Sequence, residues 1–406
     1  MLSLNKKILI YLIFFGSLIA SIILGENSSG GAEYDYLITK KYIETFQLNL
    51  NEGIELFKKD NQGHLPFFYI LIANLNNLFG EKFVNYLYLV ISSLIPFVFY
   101  NVLKKNFSKK NDNVLFLLSL IIFLSPYFRS STVWITTDNL ALLFFLLSIN
   151  SFLSTRIDKK NYLKNSFLCF FFLILASYIR QSYALFFILY FISIQSKLKL
   201  LENFYILIFN FLLSIPALIW IFIVFKFEGI QSGYYWTSNI FINILVFTSL
   251  FFFYFFPFVL NKYSLRDFIK KMSDRKFLLM VFFSLALSIL IFFNIPILSH
   301  GGGVFYKISK ITNLNFITVF SILGFFVLIC FNDLVKKNYL IYLILIFSYP
   351  FIYVYQKYYD PLIFIVILSL VESKFIKDLI ENNKINIYLV LMYFFLFLAG
   401  SNLYYI

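Results

Sequence analysis

The sequence predicts an all-α fold: a polytopic transmembrane helical bundle of about thirteen spans, with amphipathic juxtamembrane helices in its first outer loop. Three observations carry that expectation. Hydrophobic residues make up 61% of the chain and charged residues 13%, with a mean hydropathy of +0.82. A soluble domain sits nearer ~45–50% apolar and ~25% charged. Apolar runs of roughly 17–25 residues recur along the whole chain, the length that crosses a hydrocarbon layer about 30 Å thick at 1.5 Å per residue. Finally, the basic residues cluster in short loops between those runs, the asymmetry that orients membrane proteins.

That placement of charge decides what the net +14 means. It reports topology and a lipid bilayer as partner, and no nucleic acid. The 57 Phe and 30 Tyr read as lipid-facing and interfacial side chains. Cys169 and Cys330 both lie in apolar runs without ligand spacing, so they read as small core residues.

Taken in order, Lys6 and Lys7 precede the run Ile8 to Leu24, which sets the N-terminus on the cytoplasmic side. A signal peptide is the rival reading, but the run exceeds the usual ~7–15-residue hydrophobic region. Further spans are expected near 83–103, 114–128, 138–155, 162–179, 182–196, 203–225, 240–260, 277–298, 312–331, 338–355, 359–374 and 385–404. Alternate threading puts Lys104, Lys105, Lys109 and Lys110 inside, followed by Arg156, Lys159 and Lys160. Fewer cations fall outside, among them Arg129, Arg180 and Lys307. Residues 25–82 are too polar to stay in the bilayer. Within them Tyr36, Ile43, Phe46, Leu50, Ile54 and Phe57 recur at helical spacing, as expected of helices lying on the outer surface. Pro66 to Phe79 forms a second, more apolar segment.

Polar groups with chemical potential collect on the predicted outer face. Glu33 and Asp35 follow Gly30-Gly31-Ala32 just past the first span. Carboxylates there can act as a general base on a hydroxyl or hold a divalent cation; the start of a solvated loop is the plainer reading. His64, before Leu65-Pro66, can bind a phosphate or sugar hydroxyl or sit as a polar interface residue. Asp138 follows Thr136-Thr137 at the mouth of a span, where a carboxylate also suits a helix N-terminus. Arg129 brackets the same short loop. Arg180, in Ile179-Arg180-Gln181, is flanked by apolar runs; it either grips a lipid phosphate with two donors or snorkels to the interface. Gly301-Gly302-Gly303 after His300 leads to Lys307, and Tyr358-Tyr359-Asp360-Pro361 precedes another span.

These residues resemble the class C membrane glycosyltransferases, the superfamily of the protein O-mannosyltransferases, the aminoarabinose transferases and related lipopolysaccharide-modifying enzymes. Glu33-x-Asp35 is similar to the acidic motif after the first span. His64-x-Pro66-x-x-Tyr69 looks like the turn before the second, and Leu78-Phe79-Gly80 closes its helix as the family often does. Thr137-Asp138 and Arg180-Gln181 are similar to steps in the dolichol-phosphate-glucose glucosyltransferases. Two departures stand out: Tyr34 separates the carboxylates, and no Arg lies between Phe83 and Tyr100.

The resemblance covers roughly residues 1–200, and it implies a catalytic module there, with 201–406 a further bundle carrying a groove for the donor lipid. It implies transfer of a sugar from a polyprenyl-phosphate donor to a glycan, lipid or protein acceptor on the outer face. Asp35 and Glu33 would be catalytic, with Mg2+ or Mn2+ as a conceivable ligand of both. Arg180, Arg129 and Lys307 would bind the donor phosphate; His64 and Tyr69 would orient the acceptor, and Asp138 would hold the acceptor or orient one of these arginines. A polysaccharide polymerase or ligase would carry its large loop later in the chain. A lipid-linked oligosaccharide flippase would favour pseudo-symmetric halves and mid-membrane charges.

Overall fold

The computed structural model describes residues 2–60, 64–107, 111–224, 240–262, 278–279, 282, 301–331, 335–349, 354–382 and 384–405. Among these residues every regular element is helical. The chain forms two compact units: Met1–Asn106 with Leu115–Gly233 and Phe394–Ile406, and Phe107–Val114 with Tyr234–Tyr393.

The protein is a helical membrane bundle. Seven described helices are long and apolar enough to cross a membrane: Leu4–Leu24, Glu81–Asn106, Thr137–Ile157, Tyr162–Ile179, Leu200–Phe222, Ile242–Asn261 and Ile387–Tyr405. The pair Asp112–Leu124 and Pro126–Val133, bent by 61°, would make eight. Among the described residues the expected count of about thirteen is not reached. The predicted runs 182–196, 312–331, 338–355 and 359–374 correspond to shorter helices, while 277–298 lies almost wholly outside the described residues. Leu362–Leu370 gives the physical reason. Its nine residues are all buried, and at 1.5 Å per residue it reaches only about 14 Å. An apolar run that fills a protein core looks, in hydropathy, like one that faces lipid.

In the first unit, α1 (Leu4–Leu24) ends at Gly25 in the left-handed conformation. Three helices then fold on one another: α2 (Ala32–Leu48), α3 (Leu50–Lys59) and α4 (Phe67–Phe79). Tyr42, Phe57 and Tyr69 meet edge to face at 5.0–5.4 Å between ring centres, so the predicted amphipathic faces bury one another. Helix α5 (Glu81–Asn106) follows at Gly80, whose φ of 83° makes the turn sharp. After α6 (Asp112–Leu120) and a 3-10 turn, Pro126 opens α7 (Pro126–Val133) at a position where its missing N–H is harmless. Helix α8 (Thr137–Ile157) is the hub, packed on α5 and on α9 (Tyr162–Ile179). Ser92 of α5 accepts from Asn139 Nδ2 (3.1 Å), and Cys169 O of α9 accepts from Ser148 Oγ (2.8 Å). Helices α10 (Phe186–Gln195) and α11 (Leu200–Ile219) follow, and the chain from Phe394 onward belongs to this unit as well.

The second unit centres on α12 (Ile240–Lys262), whose span is 89% buried. Gly324 of α14 (Phe316–Phe331) lies so close to it that an added Cβ would meet Thr248 O, and Ser321 Oγ sits 2.7 Å from Thr248 Oγ1. Around this pair stand α13 (Gly303–Thr312), α15 (Lys336–Phe347), α16 (Leu362–Leu370) and α17 (Lys374–Glu381), before α18 (Ile387–Tyr405). Cys169 is buried and Cys330 half-buried, and neither forms a disulfide.

Candidate active site

Helix α8 begins where the polar cluster begins. Thr136 caps it in extended conformation, and its Oγ1 donates to Asp138 Oδ2 (3.0 Å) in the first turn. The other Asp138 oxygen is paired with Arg180 Nη2, while Arg180 Nε donates to Thr137 Oγ1 (3.0 Å). Arg180 stands at the end of α9, where the backbone turns extended before the 3-10 turn Gln181–Leu185. One guanidinium thus joins the start of α8 to the end of α9. Both charged side chains keep about a quarter to a third of their surface open, 25% for Arg180 and 31% for Asp138. The pair is therefore reachable by a ligand.

The turn before α4 supplies the next two groups. His64 Nε2 lies 2.8 Å from the Tyr69 hydroxyl, and Phe57 packs edge to face against the imidazole at 5.3 Å. Burial, reinforced by the Arg180 charge, pulls the His64 pKa down to about 4, so the ring is neutral near pH 7. Tyr69 also hydrogen-bonds the Thr39 side chain. Its phenol is pushed upward, chiefly by burial and further by the charges of Asp35 and Asp138, with Arg180 opposing. Tyr69 therefore sits within the electrostatic reach of all three ionised groups. Asp138 thus pairs with Arg180 and His64 with Tyr69, and the charges of Arg180, Asp138 and Asp35 all act on the Tyr69 phenol.

Glu33 separates from them. It shares the first turn of α2 with Asp35, but residues two apart lie about 200° apart around a helix. Glu33 is exposed and Asp35 half-buried. The two side chains therefore leave the helix in different directions. Among the described residues no group of three or more His, Cys, Asp or Glu side chains is gathered for a metal.

Arg129 is occupied elsewhere. Its Nε donates to both Glu26 oxygens (3.0 Å each) and its Nη2 to Glu26 Oε2 (2.9 Å). Ser17 O, Ser17 Oγ, Ser21 Oγ and Phe123 O take the remaining donors. Side-chain exposure is 7% for Arg129 and 10% for Glu26. Burial opposes the charged form of Glu26, but the hydrogen bonds and charge of Arg129, with Ser21 and Ser28, outweigh it and hold the carboxyl below its usual range. Trp134 Nε1 also donates to Glu26 O (3.0 Å). The arrangement is a strut fixing α7 to the end of α1, and it leaves the guanidinium no donor for a phosphate. Lys307 belongs to the second unit, on α13, where burial lowers its pKa to about 8.

Three residues of these two constellations were absent from the sequence expectations for the site: Glu26, Thr39 and Thr137. Glu26 is the first acid after the first span, which is a usable signal. Thr39 lies one turn after Asp35 on α2, so the same helical stripe points to it. Thr137 was visible only as the neighbour of Asp138 in the Thr137-Asp138 step, without a role of its own.

Chemically, the cluster offers a part-open carboxylate, an anion-binding guanidinium oriented by a second carboxylate, and a neutral imidazole–phenol pair. Searches among known families, characterised proteins and solved structures match nothing to this chain.

Proposed function

We propose that this protein is a membrane glycosyltransferase that moves a sugar from a polyprenyl-phosphate donor to a glycan, lipid or protein acceptor. The observation that carries the reading is the grouping of Asp35, His64, Tyr69, Asp138 and Arg180 from four separate parts of the sequence. Those positions are the ones that resemble the class C glycosyltransferase motifs.

In this reading Asp35 accepts the proton of the acceptor hydroxyl as its oxygen attacks the anomeric carbon. The bond from that carbon to the phosphate oxygen breaks, with inversion, and its electron pair leaves with the polyprenyl phosphate. Charge grows on the phosphate as the bond lengthens, and Arg180 answers it with planar donors already aligned by Asp138 and Thr137. Neutral His64 and Tyr69 orient hydroxyls without adding charge. Arg129 and Lys307 take no part. The reaction is placed on the outer face, where nucleotide sugars are absent and a lipid-linked donor is required.

The reading is tested with membranes containing the full chain, given a labelled polyprenyl-phosphate hexose or pentose without nucleotide sugars. Label appearing in a membrane acceptor supports it. Transfer only from nucleotide sugars would overturn the donor assignment.

A further inference from the structure

Helix α2 carries two neighbouring stripes. Asp35, Thr39, Tyr42 and Phe46 face the site and its aromatic core. One residue further round, Tyr36, Lys40 and Glu44 face a different space. With Asn76 of α4 and Glu81 and Asn85 of α5 they line an open groove. The Gly80 turn makes the groove possible, because it folds the end of α4 against the start of α5.

The lining has a definite chemistry. Asn76 Oδ1 is buried and has no hydrogen-bond partner among the described residues. A buried carbonyl oxygen left unsatisfied calls for a donor from a ligand or a solvent molecule. Asn85 is exposed and brings both a donor and an acceptor. Tyr36 donates to Glu81 Oε1 (3.3 Å) and packs against Trp134 at 5.9 Å between ring centres. Lys40 sits between Glu81 (3.6 Å) and Glu44 (3.9 Å). Two carboxylates against one ammonium leave the groove with a slight excess of negative charge, which disfavours an acidic ligand. Amides, carboxylates and a phenol suit a molecule dense in hydroxyls.

We infer that this groove is a carbohydrate subsite and that it holds the acceptor as a neutral, hydroxyl-rich glycan. The assignment of acceptor rests on the transferase reading; the binding of glycan does not. Neutral sugars reach the groove along the polar helices of the first loop, while the donor lipid stays in the bilayer.

The test is binding, measured by saturation-transfer NMR on the full chain in nanodiscs. The probes are cellotriose, mannotriose and galactotriose, with a trimer of galacturonic acid as the acidic counterpart. A neutral trisaccharide should bind, and Asn76→Leu and Asn85→Ala should each weaken it by about tenfold, the effect of one good hydrogen bond. Absence of binding by all three neutral probes, unchanged binding in both groove variants, or a preference for the acidic trimer would each overturn the inference. Circular dichroism and gel filtration of the variants separate lost binding from lost folding. Glycan binding without sugar transfer from any donor would instead count against the transferase reading and leave the subsite standing.

Discussion

Arg180 and Asp138 form an ion pair that ties the end of α9 to the beginning of α8, and Arg180 Nε also donates to Thr137 Oγ1 at 3.0 Å. A guanidinium held from two sides by one helix start has a fixed plane, and a fixed plane is what phosphate recognition by two parallel donors requires. Lysine has the charge without the plane. Arg180→Lys should therefore lower kcat by about tenfold to a hundredfold with a smaller change in KM, the signature of a contact that strengthens as phosphate charge develops. Steady-state kinetics with the labelled donor check this. A change confined to KM would place Arg180 in ground-state donor binding instead.

Asp138→Asn should act through Arg180. The residual pairing weakens, but the volume is unchanged and the Thr136 hydroxyl keeps an oxygen acceptor. The expected result is a loss of kcat comparable to Arg180→Lys, and little further loss when the two are combined. Full additivity in a double-mutant cycle would mean independent roles.

The Glu26–Arg129 strut makes a stability prediction. Removing one partner of a buried, hydrogen-bonded pair leaves the other charge uncompensated, at about 3–5 kcal/mol. Arg129→Met should thus lower the unfolding midpoint sharply, while any protein that folds keeps its donor affinity. Because the folded Glu26 carboxyl titrates below its ordinary value of 4.5, the strut contributes fully above that pH. The contribution is lost as pH falls from 4.5 through the lowered folded value. Thermal unfolding of wild type and Glu26→Gln across that interval should show a slope in the former that is reduced in the latter.

His64 should be silent in the pH–rate profile. With a pKa near 4 it is neutral throughout the interval of about pH 5 to 8 where an ordinary histidine would titrate. Its linkage has the opposite cause from that of Glu26 but the same direction. The unfolded chain protonates near 6.5 and the folded one near 4, so stability is full above 6.5 and declines as pH falls between those values. An inflection near 6.5 in kcat that disappears in His64→Gln would contradict the neutral assignment.

The helices of the bundle were legible in the sequence because burial in lipid and burial in helix share one pattern of apolar residues. Their number was not, because Leu362–Leu370 and its neighbours are apolar for the sake of protein contacts rather than lipid. In the site, Asp35, His64, Tyr69, Asp138 and Arg180 were each visible as polar residues at the edges of apolar runs. The pairing of Arg129 with Glu26 was not legible, for a simple reason. Glu26 lies 103 positions away along the chain, and no local spacing reveals that the two side chains meet. Glu33 looked equivalent to Asp35 until the helix turned one outward and the other in.

The central claim is that Asp35 acts as the base of a sugar transfer. Its most direct test is transfer of label from a panel of polyprenyl-phosphate sugars to membrane acceptors, with wild type and Asp35→Asn compared at equal amounts of folded protein. Wild type should transfer, and the variant should be slower by a factor of about 100 to 10,000, the usual worth of a positioned base. Equal rates in the two proteins, or no transfer by wild type from any donor, would contradict it.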